Sequence, residues 1–232
     1  MNSNFFSARN ISFIAILLAL VIVLQAALGT VQIGLVQLNF SLIPIVLGAL
    51  LYGPVVGGVL GFISGVVVLL QVIMGLSEFY IIIWTESPVI TTMICLFKTT
   101  VAGIVSGVLY NIIKKKNAHV ATFVASGAVP VVNTALFIIG CLFMNNAITA
   151  FKGSESMLKA MPEVAGMNAF IFIIVVLVTF NFFIEFAINL IIAPSLYRVV
   201  KIIDKQFGSR NVDSQLDDSD GENINLSGTK EE

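Results

Sequence analysis

The chain is a succession of long apolar runs separated by short polar or turn-forming stretches, and six runs are read along it. They extend over about Ile11–Leu28, Phe40–Leu51, Val55–Met74, Pro88–Ile113, Val120–Met144 and Met167–Val200. A helix needs about 20 apolar residues to cross a hydrocarbon core of roughly 30 Å, and outer-membrane barrels lack such unbroken runs. The pattern therefore predicts an all-α membrane protein, a compact bundle of six transmembrane helices. The second run is short and stops at Tyr52-Gly53-Pro54, while Pro44 near its start suits a first helical turn, where the missing N–H costs little.

Composition sharpens this. Apolar residues make up 58% and charged residues 11%, with a mean hydropathy of +1.02; soluble domains carry roughly 25% charged residues. From Asn10 to Ser77 there are 68 residues without a charge, whereas the last 29 residues hold 11 of the 25 charges. A water-soluble globule is thereby excluded. Two cysteines inside apolar runs exclude a disulfide scaffold, and a net charge of −1 excludes a basic nucleic-acid binder.

The few cations also orient the bundle. With the N-terminus inside, Arg9, Lys114, Lys115, Lys116, Arg198, Lys201, Lys205 and Arg210 are cytoplasmic, and the outer loops keep Lys152 and Lys159. That asymmetry places both termini in the cytoplasm. The rival reading of Ile11–Leu24 as a cleaved signal peptide leaves five spans and a charge bias that is harder to satisfy. Residues 1–207 form the membrane domain. The remainder, 208–232, is polar and acidic and reads as a disordered cytoplasmic tail.

Small residues recur at helical spacing. Gly53, Gly57, Gly61 and Gly65 lead into and along the third run, Gly103 and Gly107 lie in the fourth, and close packing within the bundle is their expected use. Ala8, Ser12, Ala15 and Ala19 share one face of the first run near its cytoplasmic end. Spacing alone leaves open whether that face meets a partner or the chain's own neighbours.

Ionisable groups in a membrane mark function or an internal pair. Lys98 sits about ten residues into the fourth run, hence roughly 15 Å below its outer end. Asn133 and Thr134 lie in the fifth run, and Asn181, Glu185 and Asn189 form a polar stripe along the sixth, with Asn181 at the depth of Lys98. Either Lys98 and Glu185 neutralise each other, or Lys98 faces a cavity that takes an anionic or strongly hydrogen-bonding ligand. Between runs three and four, Phe79, Tyr80 and Trp84 are interfacial anchors or line a small-molecule pocket. The stretch Gly29–Asn39, with Gln32, Gln37 and Asn39, is a candidate lid over the same mouth.

Much chemistry is missing. The chain has no phosphate-loop motif, its single His119 stands apart from any nucleophile, and Cys95 and Cys141 read as packing residues. No catalytic activity, metal or cofactor is expected.

Several stretches resemble the substrate-binding S components of energy-coupling factor (ECF-type ABC) transporters, which take up vitamins. The resemblance covers roughly residues 8–205. It rests on Ala15-Ile16-Leu17-Leu18-Ala19, similar to that family's A-x-x-x-A motif, and on Asn39-Phe40-Ser41-Leu42-Ile43-Pro44-Ile45 followed by Gly48 and Tyr52-Gly53-Pro54-Val55-Val56-Gly57. Pro130-Val131-Val132-Asn133-Thr134 and Asn181, Glu185, Asn189 and Pro194 are similar to the family too. The acidic tail is not typical of it.

The resemblance implies a six-helix bundle that captures a vitamin or related micronutrient from outside. It also implies partnership with a membrane coupling subunit and two cytosolic ATPases, whose ATP hydrolysis makes the bundle topple and release its cargo inward. Ala15 and Ala19 then become the docking face. Lys98, Asn133, Asn181, Glu185, Trp84, Tyr80 and Asn39 are the expected substrate-binding residues. A buried cation favours a carboxylate such as pantothenate; a flavin or pyrimidine leans more on Trp84 and Tyr80. Two other classes stay open: a self-sufficient secondary carrier, which commonly shows internal repeats not found here, and a membrane-embedded enzyme, which needs a nucleophile and base.

The charge asymmetry generates a direct test of topology. Green fluorescent protein fused to either terminus is expected to fluoresce, and alkaline phosphatase fused there to be inactive. The reverse pattern at one terminus would mean an odd number of spans.

Overall fold

The structure, a computed structural model, describes the backbone of residues 8–28, 32–33, 36–37 and 39–227, and the side chains of 10–27, 39–179, 181–203 and 205. Helix α1, Ala8–Val23, ends in a π turn, Leu24–Leu28. Two residue pairs then form a minimal antiparallel hairpin, β1 (Gln32–Ile33) and β2 (Val36–Gln37), before α2, Leu42–Tyr52. The side chains of Gln32 and Gln37 lie outside the described residues, and with them most of the candidate lid.

Helix α3, Pro54–Ile73, follows α2 after one residue. Gly53 makes that reversal at φ 88°, which a residue without Cβ adopts freely, and Pro54 supplies a preset φ for the first turn of α3. Helix α4, Glu78–Glu86, is capped by Ser77, whose Oγ accepts from the Tyr80 N–H at 3.2 Å. Helix α5, Pro88–Ile113, again starts on proline. Helix α6, Ala118–Phe143, starts on Asn117, whose side chain accepts from the His119 and Val120 N–H groups. Short helices α7 (Asn145–Lys152) and α8 (Glu155–Ala160), a 3-10 turn (Pro162–Gly166) and α9 (Ala169–Phe172) come next. A second π turn, Ile173–Val178, leads into α10, Thr179–Ser227. The side chains of the tail, 208–232, are outside the described residues.

Five stretches are long and apolar enough to cross a bilayer: Asn10–Ala27, Pro54–Ile73, Pro88–Ile113, Ala118–Phe143 and Ala169–Ile203. The remaining run, the second, gives α2, with 11 residues, about 16 Å at 1.5 Å each. That is about half of a hydrocarbon core of roughly 30 Å. The chain is an all-α, multi-pass membrane protein.

Two stretches expected as loops are helical instead. The segment between α3 and α5 forms α4, and the segment after α6 forms α7 and α8. They fold because their aromatic and aliphatic faces bury one another. Phe79, Ile83, Phe151, Met157, Val164 and Phe172 are all buried in one cluster, with the Phe79 and Phe151 rings 5.1 Å apart edge to face.

The spine of the bundle is the contact between α3 and α5. A Cβ on Gly57 would lie 2.6 Å from the Gly103 carbonyl oxygen; one on Gly61 would strike the Thr99 carbonyl, and one on Gly65 the Cys95 carbonyl. The Thr99 hydroxyl donates to the Gly61 carbonyl at 2.7 Å. Lipid offers no hydrophobic force between helices, so this backbone approach supplies the packing that holds them.

Two apolar clusters divide the interior. One gathers Val68, Val72, Cys95, Cys141 and Leu177 with the outer helices; the other gathers Leu17, Leu60, Ala102, Ala125 and Leu196 with α2. Each of α3, α5 and α6 carries a buried polar residue between those contributions, Ser64, Thr99 and Asn133, and on the last span Glu185 lies between Val178 and Leu196. Helix α1 lies at the side, burying Leu17 and Val21 but leaving Ile16, Leu20 and Val23 exposed.

Widening Gly61 to Val is expected to cost about 1–3 kcal/mol by overpacking, read as a lower unfolding temperature in detergent. Val55→Ala, at a side chain 73% exposed, is the control and should leave unfolding unchanged. Equal behaviour of the two variants would mean that α3 and α5 are not in backbone contact.

Candidate substrate site

The polar layer opens into a cleft between α5, α6 and α10. Helix α5 contributes Lys98; α6 contributes Asn133, Thr134 and Phe137. Leu177 and Val178 come from the π turn, Asn181 and Glu185 from α10, and Asn39 from the irregular chain before α2. Local sequence explains the shape on two sides. Pro130 has no N–H to give the carbonyl one turn back, which loosens the α6 ladder just before Asn133. The π turn widens the last span just before Asn181, and the Ile174 carbonyl accepts both the Thr179 backbone N–H and, at 2.7 Å, its Oγ1 hydroxyl.

Glu185 is the hub. Its Oε1 accepts the Asn39 backbone N–H at 2.8 Å, and its own backbone carbonyl accepts from Asn189 Nδ2 at 2.8 Å. Asn39 Oδ1 accepts the Ser41 hydroxyl at 2.6 Å, and Ser41 Oγ lies 2.6 Å from Ser64 Oγ. A hydroxyl has one proton to give. Ser41 spends it on Asn39, so Ser64 donates to Ser41. The chain of bonds ties α10, the entrance to α2, and α3 together at one depth.

Lys98 is half-buried, and its Nζ lies 5.4 Å from the centre of the Phe137 ring, within cation–π range. The one ion pair among the described residues is the exposed Lys159–Glu155 contact, so none of their carboxylate oxygens lies within 4.0 Å of Lys98. Lys98 and Glu185 share the cleft without forming the close pair that the sequence left open. Two further polar atoms of cleft residues, Asn39 Nδ2 and Asn133 Oδ1, are buried without a partner. The volume open to water-sized molecules is ≈ 50 Å³, a third of the roughly 150 Å³ that admits benzene elsewhere. A vitamin-sized molecule requires these walls to part.

Five of the seven expected binding residues, Lys98, Asn133, Asn181, Glu185 and Asn39, meet in this cleft. Tyr80 and Trp84 are not among its lining. Tyr80 is buried beside Phe79 in the outer cluster, and Trp84 packs against that cluster. Of the α4 side chains, Phe79 meets the ring of the cleft-lining Phe137 at 6.3 Å and that of Phe151 on α7 at 5.1 Å. Sequence reasoning missed Ser64 and Phe137, which carry no signal beyond a polar or aromatic residue in an apolar run. It also missed Gln25 and Gln71, where Gln71 Nε2 donates to the Gln25 carbonyl at 3.0 Å. Among the described residues, no three His, Cys, Asp or Glu side chains gather as metal ligands. On the far side, Ala15 and Ala19 are both exposed.

A buried polar cleft inside an apolar bundle suits capture of a small molecule better than chemistry on it. No curated protein matches the chain. The family of the ECF transporter substrate-specific component, a transporter family, matches residues 9–197, and the chain belongs to that family.

Proposed function

We propose that this chain captures a vitamin or related micronutrient with high affinity in the cleft around Lys98, and that pantothenate is the favoured substrate. The observation that carries the reading is Lys98 itself: a cation inside the membrane domain, lining the cleft, with no carboxylate among the described residues within 4.0 Å. A charge at that depth is costly unless something answers it, and a substrate carboxylate answers it. Asn133 and Asn181 flank it with hydrogen-bonding groups, and Glu185 holds the entrance to α2 in place by accepting from Asn39.

Energy for import comes, on this reading, from separate subunits: a membrane coupling protein and two cytosolic ATPases. Ala15 and Ala19 form the docking face for the coupling subunit. Their exposure on α1 supports this, because side chains that packed the chain's own core would be covered.

Purified protein is expected to bind pantothenate tightly with no ATP present, and Lys98→Ala to weaken binding at least tenfold by calorimetry. Unchanged affinity in that variant would remove Lys98 from the site. Separately, Ala15→Trp combined with Ala19→Trp should abolish uptake in cells while vitamin binding persists. Loss of binding as well would place those alanines in the protein's own packing.

A further inference from the structure

A row of aromatic rings runs from the outer cluster to the cleft. Phe172 on α9 lies 6.2 Å from Phe151 on α7, Phe151 lies 5.1 Å from Phe79 on α4, and Phe79 lies 6.3 Å from Phe137 on α6. The row ends on α5, where Lys98 Nζ stands 5.4 Å from the centre of the Phe137 ring. Phe137 and Lys98 line the cleft; Phe79 does not, and it is buried, as are Phe151 and Phe172. Phe79 meets Phe137 edge to face, with 63° between the ring planes.

Each contact in the row depends on orientation. An edge-to-face pair fixes how one ring stands against the other, and a cation is attracted by the face of a ring and not by its edge. Phe137 is half-buried, so its buried neighbour Phe79, itself packed against Phe151, limits how the ring turns. Lys98 has a rigid base, because α5 is pinned to the backbone of α3, but a long flexible stem. Its charged head is therefore placed by what it meets in the cleft, and the Phe137 ring is such a contact. Resting on the reading of Lys98 as a substrate-binding residue, we infer that Phe79 is a positioning residue for this site. Acting through Phe137, it holds the Lys98 ammonium at the cleft wall. Packing on α4, outside the cleft, thereby governs how available that cation is to a ligand.

The test is the rate at which formaldehyde and cyanoborohydride methylate Lys98 in the purified full chain, read by mass spectrometry against the exposed Lys159. Phe79→Leu and Phe137→Leu are each expected to raise the Lys98 rate at least about threefold, the order of a lost cation–π contact. Phe172→Leu also removes a buried ring but lies at the far end of the row, and should leave the rate unchanged. An unchanged rate in Phe79→Leu, or an equal rise in Phe172→Leu, overturns the inference. Phe79→Met is the second variant should the leucine fail to fold. Protection of Lys98 by pantothenate in the unaltered chain supports the substrate reading. Absence of protection overturns pantothenate as the ligand without touching the comparison among the phenylalanine variants.

Discussion

In hydrocarbon every backbone N–H and C=O must find its partner inside the protein, because no water is there to supply one. Helix α2 puts that constraint under strain. Asn39 precedes α2 outside any helix, so its buried N–H has no helical acceptor. The Glu185 carboxylate provides one at 2.8 Å. Around that bond the fold arranges the rest: Ser41 and Ser64 extend it to α3, Asn189 braces it from the next turn of α10, and the cleft opens beside it. Irregular backbone at membrane depth is tolerated where it is buried in protein or lines a cavity. Here it does both.

The rigid side of the cleft has a different origin. Gly57, Gly61 and Gly65 bring α3 against the backbone of α5, so the helix that carries Lys98 is anchored along its length. By contrast α1 is held through few buried side chains and keeps Ala15 and Ala19 exposed. A bundle with a tight spine and a loosely attached outer helix suits a protein proposed to bind substrate at one place and a coupling partner at another.

How much was legible follows from how local each signal is. The spans, the glycine stripes and the polar face Asn181–Glu185–Asn189 depend on period and composition, and the structure places them where helical spacing puts them. The depth match of Lys98 with Asn181 followed from counting residues, and both line the cleft. The stretch that carries Tyr80 and Trp84 was not legible as a helix because an aromatic loop and an aromatic helix look alike in sequence; the cap on Ser77 and the partner faces of α7 and α9 decide between them. The π turn at Ile173–Val178 left no mark in a run of branched aliphatics, although it sets how α10 is rotated toward the cleft.

By itself, then, the sequence determined the class of solvent, the number of apolar runs, their orientation and the few polar groups worth following, since each is a matter of hydropathy, charge and period along the chain. Only the tertiary structure decided what those groups do to one another. It gave Glu185 to the Asn39 backbone and not to Lys98, and it left Asn39 Nδ2 and Asn133 Oδ1 buried with no hydrogen-bond partner. The reason is physical: hydrogen bonds and ion pairs act over about 3–4 Å, and no spacing along a chain states which of several polar side chains at one depth will come that close.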